Sequence, residues 1–128
     1  MTAYIHDDVF DEGLDLINEA ATKLHILSTA AVLTFSNVAL YTLGEKDISA
    51  TTDPNFITGP ADRTAGGREV TIAAIIDGTV TETDTATHFA IVDASRVLVS
   101  GPIAGSQVVT SGNIFTLSAF TIGIPDPA

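Results

Sequence analysis

Three polar residues in the second half of the chain are of the types that do hydrolytic chemistry: His88, Asp93 and Ser95. A serine nucleophile, a histidine base and an aspartate that orients the base form the triad of many hydrolases. The sequence has no GxSxG turn, HExxH helix, P-loop or dinucleotide-binding glycine pattern around them. A chain rich in serine and threonine produces such combinations by coincidence. We therefore expect no enzyme, and we interpret His88 as a residue that hydrogen-bonds a neighbouring strand.

Metal binding is the second chemistry to consider. The carboxylates of Asp77, Glu82 and Asp84 could attract calcium, which takes several oxygen ligands, but the spacing of an EF-hand is missing. The chain has no cysteine, and its three histidines form no ligand motif: His6, His25 and His88. We expect neither a metal nor another cofactor, and we interpret the acidic run as a solvated sheet edge that discourages edge-to-edge pairing.

Composition limits the class of protein. The 128 residues, 45% of them hydrophobic, fit one domain with its own core. Sixteen acidic residues against five basic ones give a formal charge of −11, which repels phosphate backbones and anionic lipid. We therefore expect no nucleic-acid or membrane partner. No basic, apolar signal segment and no long apolar stretch is present, so we expect a soluble protein made in the cytoplasm.

The elements that would position any site begin with a helix from Asp7 to about Thr22. Its apolar residues fall four, three and four positions apart and so share one helical face: Phe10, Leu14, Ile17 and Ala21. Acidic residues lie in its first turns, where they meet the positive end of the helix dipole. The face could pack on its own domain or dock on a neighbouring subunit. Residues 1–27 thus hold this helix and a short first strand, Leu24 to Leu27, with His25 on its polar side.

Residues 28–67 show apolar clusters without a sustained period, which predicts an irregular excursion. Within it we expect a helical turn at Ser36 to Tyr41, capped by Ser36 and closed by Leu43-Gly44. A short edge strand is predicted at Phe56 to Thr58. The stretch Pro60 to Arg68 is typical of a mobile surface loop, and such loops often contact partners. Its candidate contact residues are Arg63, Gly66, Gly67 and Arg68.

Residues 68–125 alternate apolar and small polar side chains, the pattern of antiparallel strands. The run Val70 to Ile76 is apolar on both faces, which predicts a central, covered strand. Asp77-Gly78 then predicts a hairpin turn, and Thr79 to Thr85 a charged strand near an edge.

The remaining strands follow the same reasoning. His88 to Val92 and Val97 to Val99 form a second predicted hairpin, after which Pro102-Ile103 and Gly105-Ser106 bend the chain. Gln107 to Thr110 and Asn113 to Ile124 form the last predicted pair, which Pro125 ends because proline cannot donate to a ladder. The fold class is therefore mainly β, an antiparallel β-sandwich or jelly-roll-like domain with an N-terminal amphipathic α-helix.

Three segments carry a resemblance to known proteins: YIHDDVFDEGLDLI, TGPADRTAGGREVTIAAIIDGTVTETDTATHFAIVDAS and SQVVTSGNIFTLSAFTIGIPDP. The chain resembles a family of small structural proteins encoded among the virion genes of tailed bacteriophages and prophages. The most distinctive elements are GPAD with the following GGR, ATHFAIVD, and VTSGN before IPDP, whereas residues 29–55 match least. The resemblance implies β structure and association with the virion, and it transfers no catalytic residue.

From this resemblance we expect a capsid decoration or head-associated attachment protein, assembled in the host bacterial cytoplasm. Its partners would be the major capsid protein or other virion proteins and its own copies, as a homo-oligomer such as a trimer. The alternative is a host-binding module at the tail tip or fibre. The candidate contacts are the helix residues Phe10, Leu14 and Ile17 together with the loop residues Arg63, Gly66, Gly67 and Arg68.

Overall fold

The computed structural model describes residues 7–29 and 34–125, with side chains described from Asp11 onward. The described elements are α1 (Asp7–Ala20), β1 (Lys23–Leu27), α2 (Phe35–Tyr41), β2 (Thr42–Asp47), β3 (Ile57–Asp62), β4 (Arg68–Ile72), β5 (Ile75–Val80), β6 (Asp84–Val92), β7 (Val97–Val109), β8 (Ile114–Leu117) and β9 (Phe120–Ile124). The protein is thus mainly β with an N-terminal helix, as predicted.

Six strands form an antiparallel sheet in the order β7, β6, β1, β2, β5, β8. β1 lies inside this sheet, paired with β6 on one side and β2 on the other. Its side chains Leu24, Ile26 and Leu27 are fully buried. The edge strands β7 and β8 are joined by a tight turn in which the Asn113 N–H donates to the Thr110 carbonyl at 3.0 Å. The two ends of the strand order therefore meet, and the sheet is curled.

The other three strands form a second antiparallel sheet with β4 between β3 and β9. The chain crosses between the sheets three times: between β2 and β3, at Ala73-Ala74 between β4 and β5, and at Ser118-Ala119 between β8 and β9. Val70 and Ile72 of the small sheet share one buried cluster with Leu24 and Phe115 of the large sheet. This common core gives the sandwich-like fold predicted from the sequence.

α1 packs against β3 and β4, and its apolar face lies in the core. Leu14, Ile17 and Ala21 are buried. Their placement favours the first alternative for the helix, packing on its own domain. The Arg68 Nε at the start of β4 donates to Asp11 Oδ1 at 2.8 Å, which ties the helix to the small sheet.

The predicted central strand Val70 to Ile76 is wrong as a single element. β4 ends at Ile72 and β5 begins at Ile75, and these two strands belong to different sheets. Burial shows the break, because Val70 and Ile72 point inward and then Ile75, three positions on, does so again. A regular strand would keep its period of two.

The predicted Asp77-Gly78 turn and the acidic edge strand Thr79 to Thr85 are also wrong. Asp77 and Gly78 lie inside β5, which also takes in Thr79 and Val80. Asp84 begins β6, which lies between β7 and β1 and is not an edge. The exposed segment Thr81 to Thr83 connects the two strands and holds only Glu82 of the acidic run.

Regular structure occupies much of the predicted excursion and loop. The helical turn is confirmed as α2, but its cap is Thr34, whose hydroxyl oxygen accepts the Asn37 N–H at 3.2 Å. Leu43 and Gly44 lie in β2 and do not close the helix. The predicted edge strand is confirmed as β3, which extends to Asp62 and so includes part of the predicted loop.

In the C-terminal third, the pairing of the strands differs in part from the prediction. The second hairpin is confirmed as β6 and β7, and β7 continues to Val109 through the predicted bends. Its register shifts between Gln107, which faces Ala86, and Pro102, which faces His88. The predicted last pair is wrong, because β8 pairs with β5 and β9 with β4. β9 ends before Pro125, as expected.

Candidate functional site

Two residues of the hypothetical triad, Asp93 and Ser95, lie in a turn, whereas His88 lies inside β6. The carboxylate of Asp93 accepts the Ser95 N–H at 2.8 Å and the Arg96 Nε–H at 2.7 Å. The backbone N–H of Ser95, with Arg96, holds the pKa of Asp93 below its usual value. His88 Nδ1 contacts the Thr87 hydroxyl at 2.8 Å. Asp93 therefore closes the connection between β6 and β7.

The acidic residues do not converge. In the part of the chain that the structure describes, no three histidine or carboxylate side chains could jointly hold a metal ion. Asp77 accepts from the Lys46 ammonium at 2.8 Å. Glu82 lies in the connection that follows β5, whereas Asp84 begins β6.

All five basic side chains are engaged within the chain. Four form ion pairs: Lys23 with Glu45, Lys46 with Asp77, Arg68 with Asp11 and Asp62, and Arg96 with Asp93. The fifth, Arg63, donates from Nη1 to the Gly66 carbonyl at 2.9 Å. Because the acidic residues outnumber the basic ones, the remaining charged surface is negative.

The predicted contact loop is a held turn between β3 and β4. The Arg63 N–H donates to the Gly67 carbonyl at 3.1 Å, and both Gly66 and Gly67 have positive φ. Arg68 is bound by two carboxylates, whose hydrogen bonds raise its pKa. The loop is therefore shorter than predicted, because Pro60 to Asp62 belong to β3 and Arg68 begins β4. Phe10 lies in α1, but its side chain is outside the described part of the chain.

A cleft lies in the seam, the gap between the edge strands β7 and β8. Its volume is about 470 Å³, which is within the range of ligand sites. Phe89, Ile103, Leu117 and Phe120 supply apolar surface, and the Phe89 and Phe120 rings pack with centroids 4.8 Å apart. The walls are formed by Pro102, Ala104, Gly105, Gln107, Thr116, Ser118, Ala119 and Thr121. None of the lining residues is charged.

The seam exists because two consecutive strands diverge after a tight turn. β7 pairs only with β6 and β8 only with β5, so their facing edges have no ladder between them. One bond crosses the gap: the Gln107 side-chain amide donates from Nε2 to the Thr116 carbonyl at 2.6 Å.

Exposed apolar side chains lie on the two strands that border the seam and on β5, which pairs with β8. We call Ile76 of β5, Val108 of β7 and Ile114 of β8 the seam patch; their exposed fractions are 72%, 79% and 64%. The neighbours Ile75, Val109 and Phe115 are buried, so the seam-patch side chains point to the opposite, outward face. Exposed apolar residues on neighbouring strands are candidates for an interaction surface on a soluble domain.

The residues of the cleft carry no signal of a binding site in the sequence. No local motif marks Gln107, Thr116 or Phe120, because the cleft arises only when the sheet curls. The Pro102 to Ser106 irregularity was the one signal, and it predicted bends without a cleft.

His25 lies in a polar cluster on β1 and β2. The Thr42 hydroxyl donates to the Gly44 carbonyl at 3.1 Å, so it accepts from His25 Nδ1–H at 2.9 Å. This assigns the Nδ1–H tautomer and leaves Nε2 toward Glu45 Oε2, at 3.9 Å. Burial lowers the pKa of His25, with Lys23 acting in the same direction and Glu45 in the opposite one.

We expect the free energy of unfolding to fall as the pH is lowered from 7.5 to 5.5. The unfolded chain takes up a proton at His25 near its ordinary pKa of about 6.5, before the folded chain does, so protonation favours unfolding. Urea unfolding of the wild type and of His25→Gln measures the effect. The variant should lose less stability over this interval, and the two proteins should behave in parallel from pH 7.5 to 8.5. An equal loss in both would contradict the assignment to His25.

No helix among the described residues is long and apolar enough to cross a membrane. No family model matches the chain, no curated protein matches it, and no solved structure matches it. The family suggested by the sequence segments therefore stays a prediction, and the functional argument rests on the chain's own surfaces.

Proposed function

We propose that this chain is a structural protein of a phage particle, most specifically a capsid decoration or head-associated attachment protein. It binds the major capsid protein or other virion proteins and associates with its own copies. The resemblance of the three sequence segments is the reason to propose a phage particle. The seam patch is the surface that we propose for binding. Exposed apolar residues beside unpaired strand edges are costly for a free monomer and useful for an interface.

The charge distribution supports a protein partner. Every lysine and arginine is already bonded within the chain, and acidic residues outnumber them, which disfavours binding to nucleic acid. A neutral or basic protein surface complements it. Repeated copies on a lattice make modest individual affinities sufficient, because multivalent attachment multiplies them. A trimer at a lattice axis is the assembly that we propose, and sedimentation equilibrium measures it.

Copy number on purified particles tests the proposal. We expect quantitative mass spectrometry to find the chain in a fixed, high ratio to the major capsid protein. A few copies per particle, with binding to a host surface glycan or protein, would favour the alternative of a tail-tip or fibre module. Absence of the chain from particles would refute both.

A matched pair of variants tests the seam patch. Val108→Thr with Ile114→Thr removes two exposed apolar groups while keeping β-branched side chains. We expect occupancy on particles to fall by about tenfold or more, since burying each side chain contributes about 1 kcal/mol or more. Leu40→Gln removes an equally exposed apolar residue from α2, away from the seam, and should keep wild-type occupancy. Equal losses in both proteins would contradict the role of the patch.

A further inference from the structure

The two walls of the seam cleft present main-chain groups that no strand uses. On β8, the Thr116 carbonyl points across the gap, as its bond to Gln107 shows. Main-chain groups alternate in direction along a strand, so those of Ile114 and Thr116 face the seam while those of Phe115 and Leu117 face β5. On β7, the four residues Ile103 to Ser106 have no partners in β6, because the register shift leaves only Thr87 opposite them.

The side chain of Gln107 shows which kind of hydrogen-bonding group fits in the seam. This side chain ends in a primary amide, which presents the same N–H donor as a peptide bond. This amide donates to the Thr116 carbonyl, as the N–H of a paired strand would. The contact is partial, since it satisfies one acceptor on the edge of β8 and leaves the rest of the edge free for a longer run of amides.

The size and charge of the lining restrict the occupant further. Ala104, Gly105, Ser118 and Ala119 are small, which allows another backbone to approach closely. Phe89, Leu117 and Phe120 lie beneath and can receive an apolar side chain. The chain carries sixteen acidic residues, yet no charged residue lines the cleft, so the complementary segment is uncharged.

We propose that the seam cleft binds an extended, uncharged segment of another protein, which adds to the edge of β8 as a further strand. The main-chain groups of Thr116 pair with the segment, displacing the Gln107 amide. An aromatic or branched side chain of the segment packs on the apolar floor formed by Phe89, Leu117 and Phe120. This mode of recognition gives affinity through the main chain and specificity through the pocket. It goes beyond the particle assignment and does not depend on it.

The test uses the full-length chain as bait for a library of random dodecapeptides displayed on messenger RNA. We expect enriched peptides to be uncharged, with apolar residues at alternate positions. Added peptide should shift the amide NMR signals of residues 103–105 and 116–119 most strongly. Thr116→Pro removes the main-chain N–H that faces the seam without breaking the ladder with β5, whereas Thr116→Val removes only the hydroxyl. Peptide affinity should fall about tenfold in the proline variant and stay near wild type in the valine variant.

A second variant guards against misfolding of the proline protein. Ala119→Trp keeps every main-chain group and fills the cleft, and it should weaken the same peptides by a similar factor. Affinity that is unchanged in both Thr116→Pro and Ala119→Trp would overturn the proposal. So would failure to enrich any peptide, or amide shifts produced by a panel of mono- and disaccharides and by no peptide.

Discussion

Replacing Gly78 with alanine is expected to lower the free energy of unfolding by about 2 to 3 kcal/mol, because overpacking a filled core forces its neighbours to move. A Cβ at this position would overlap the aromatic ring of Phe115. Phe115 is buried in the core that both sheets share and pairs with Gly78 across β5 and β8. Urea unfolding at neutral pH measures the loss.

Gly105→Ala is the matched control. A Cβ on Gly105 would meet no heavy atom within 4 Å, so the same chemical change should alter stability by less than about 0.5 kcal/mol. The cause is isolated by repeating Gly78→Ala in a Phe115→Leu background, where the ring is absent. The substitution should then cost at least about 1 kcal/mol less. Equal costs in the two backgrounds would show that the ring is not responsible.

Gly78 also shows why the local sequence predicted a turn where the structure has a strand. Asp-Gly between two strand-like runs is a strong hairpin signal, since glycine readily adopts positive φ. Gly78 does not have positive φ here, unlike Gly59, Gly66, Gly67 and Gly112. Its role is to make room for a ring that lies 37 positions further along the chain. Nothing near Gly78 in the sequence separates these two uses of glycine.

The existence of most strands was predictable, whereas their neighbours were not. Alternation identified the strand at Leu24 to Leu27 and the hairpin of β6 and β7, because both depend on nearby residues. Pairing of β5 with β2 and β8 depends on the way the sheet curls. The charged stretch after Gly78 therefore predicts an edge strand, although Asp84 begins a strand with partners on both sides.

The candidate site lies where the sequence predicted a paired hairpin. Gln107 and Thr116 stand opposite each other across the turn at residues 110–113, as partners in a hairpin would. In the structure each strand is bound on its other side, β7 by β6 and β8 by β5, and the facing edges diverge. The cleft thus lies where the backbone hydrogen bonds between β7 and β8 are absent. No residue pattern within the two strands could reveal it.

Leu14→Ala is expected to lower the free energy of unfolding by about 2 to 5 kcal/mol, the usual range for a leucine removed from a core. Leu14 is 1% exposed and lies in the cluster that joins α1 to both sheets. Leu16→Ala is the control on the same helix. Leu16 is 42% exposed, so its truncation should cost less than about 1 kcal/mol. Denaturant unfolding of the two variants gives the comparison.

Protein concentration separates the two alternatives for the helix. If α1 packs on its own domain, the cost of Leu14→Ala is a property of the monomer and is the same at low and high protein concentration. If α1 instead docked on a neighbouring subunit, the unfolding midpoint would rise with concentration, because association would stabilise the folded chain by mass action. Leu14→Ala would then weaken that dependence. The bond of Arg68 to Asp11 and the burial of Ile17 both belong to the first arrangement, so we expect a midpoint for the Leu14→Ala variant that is independent of concentration.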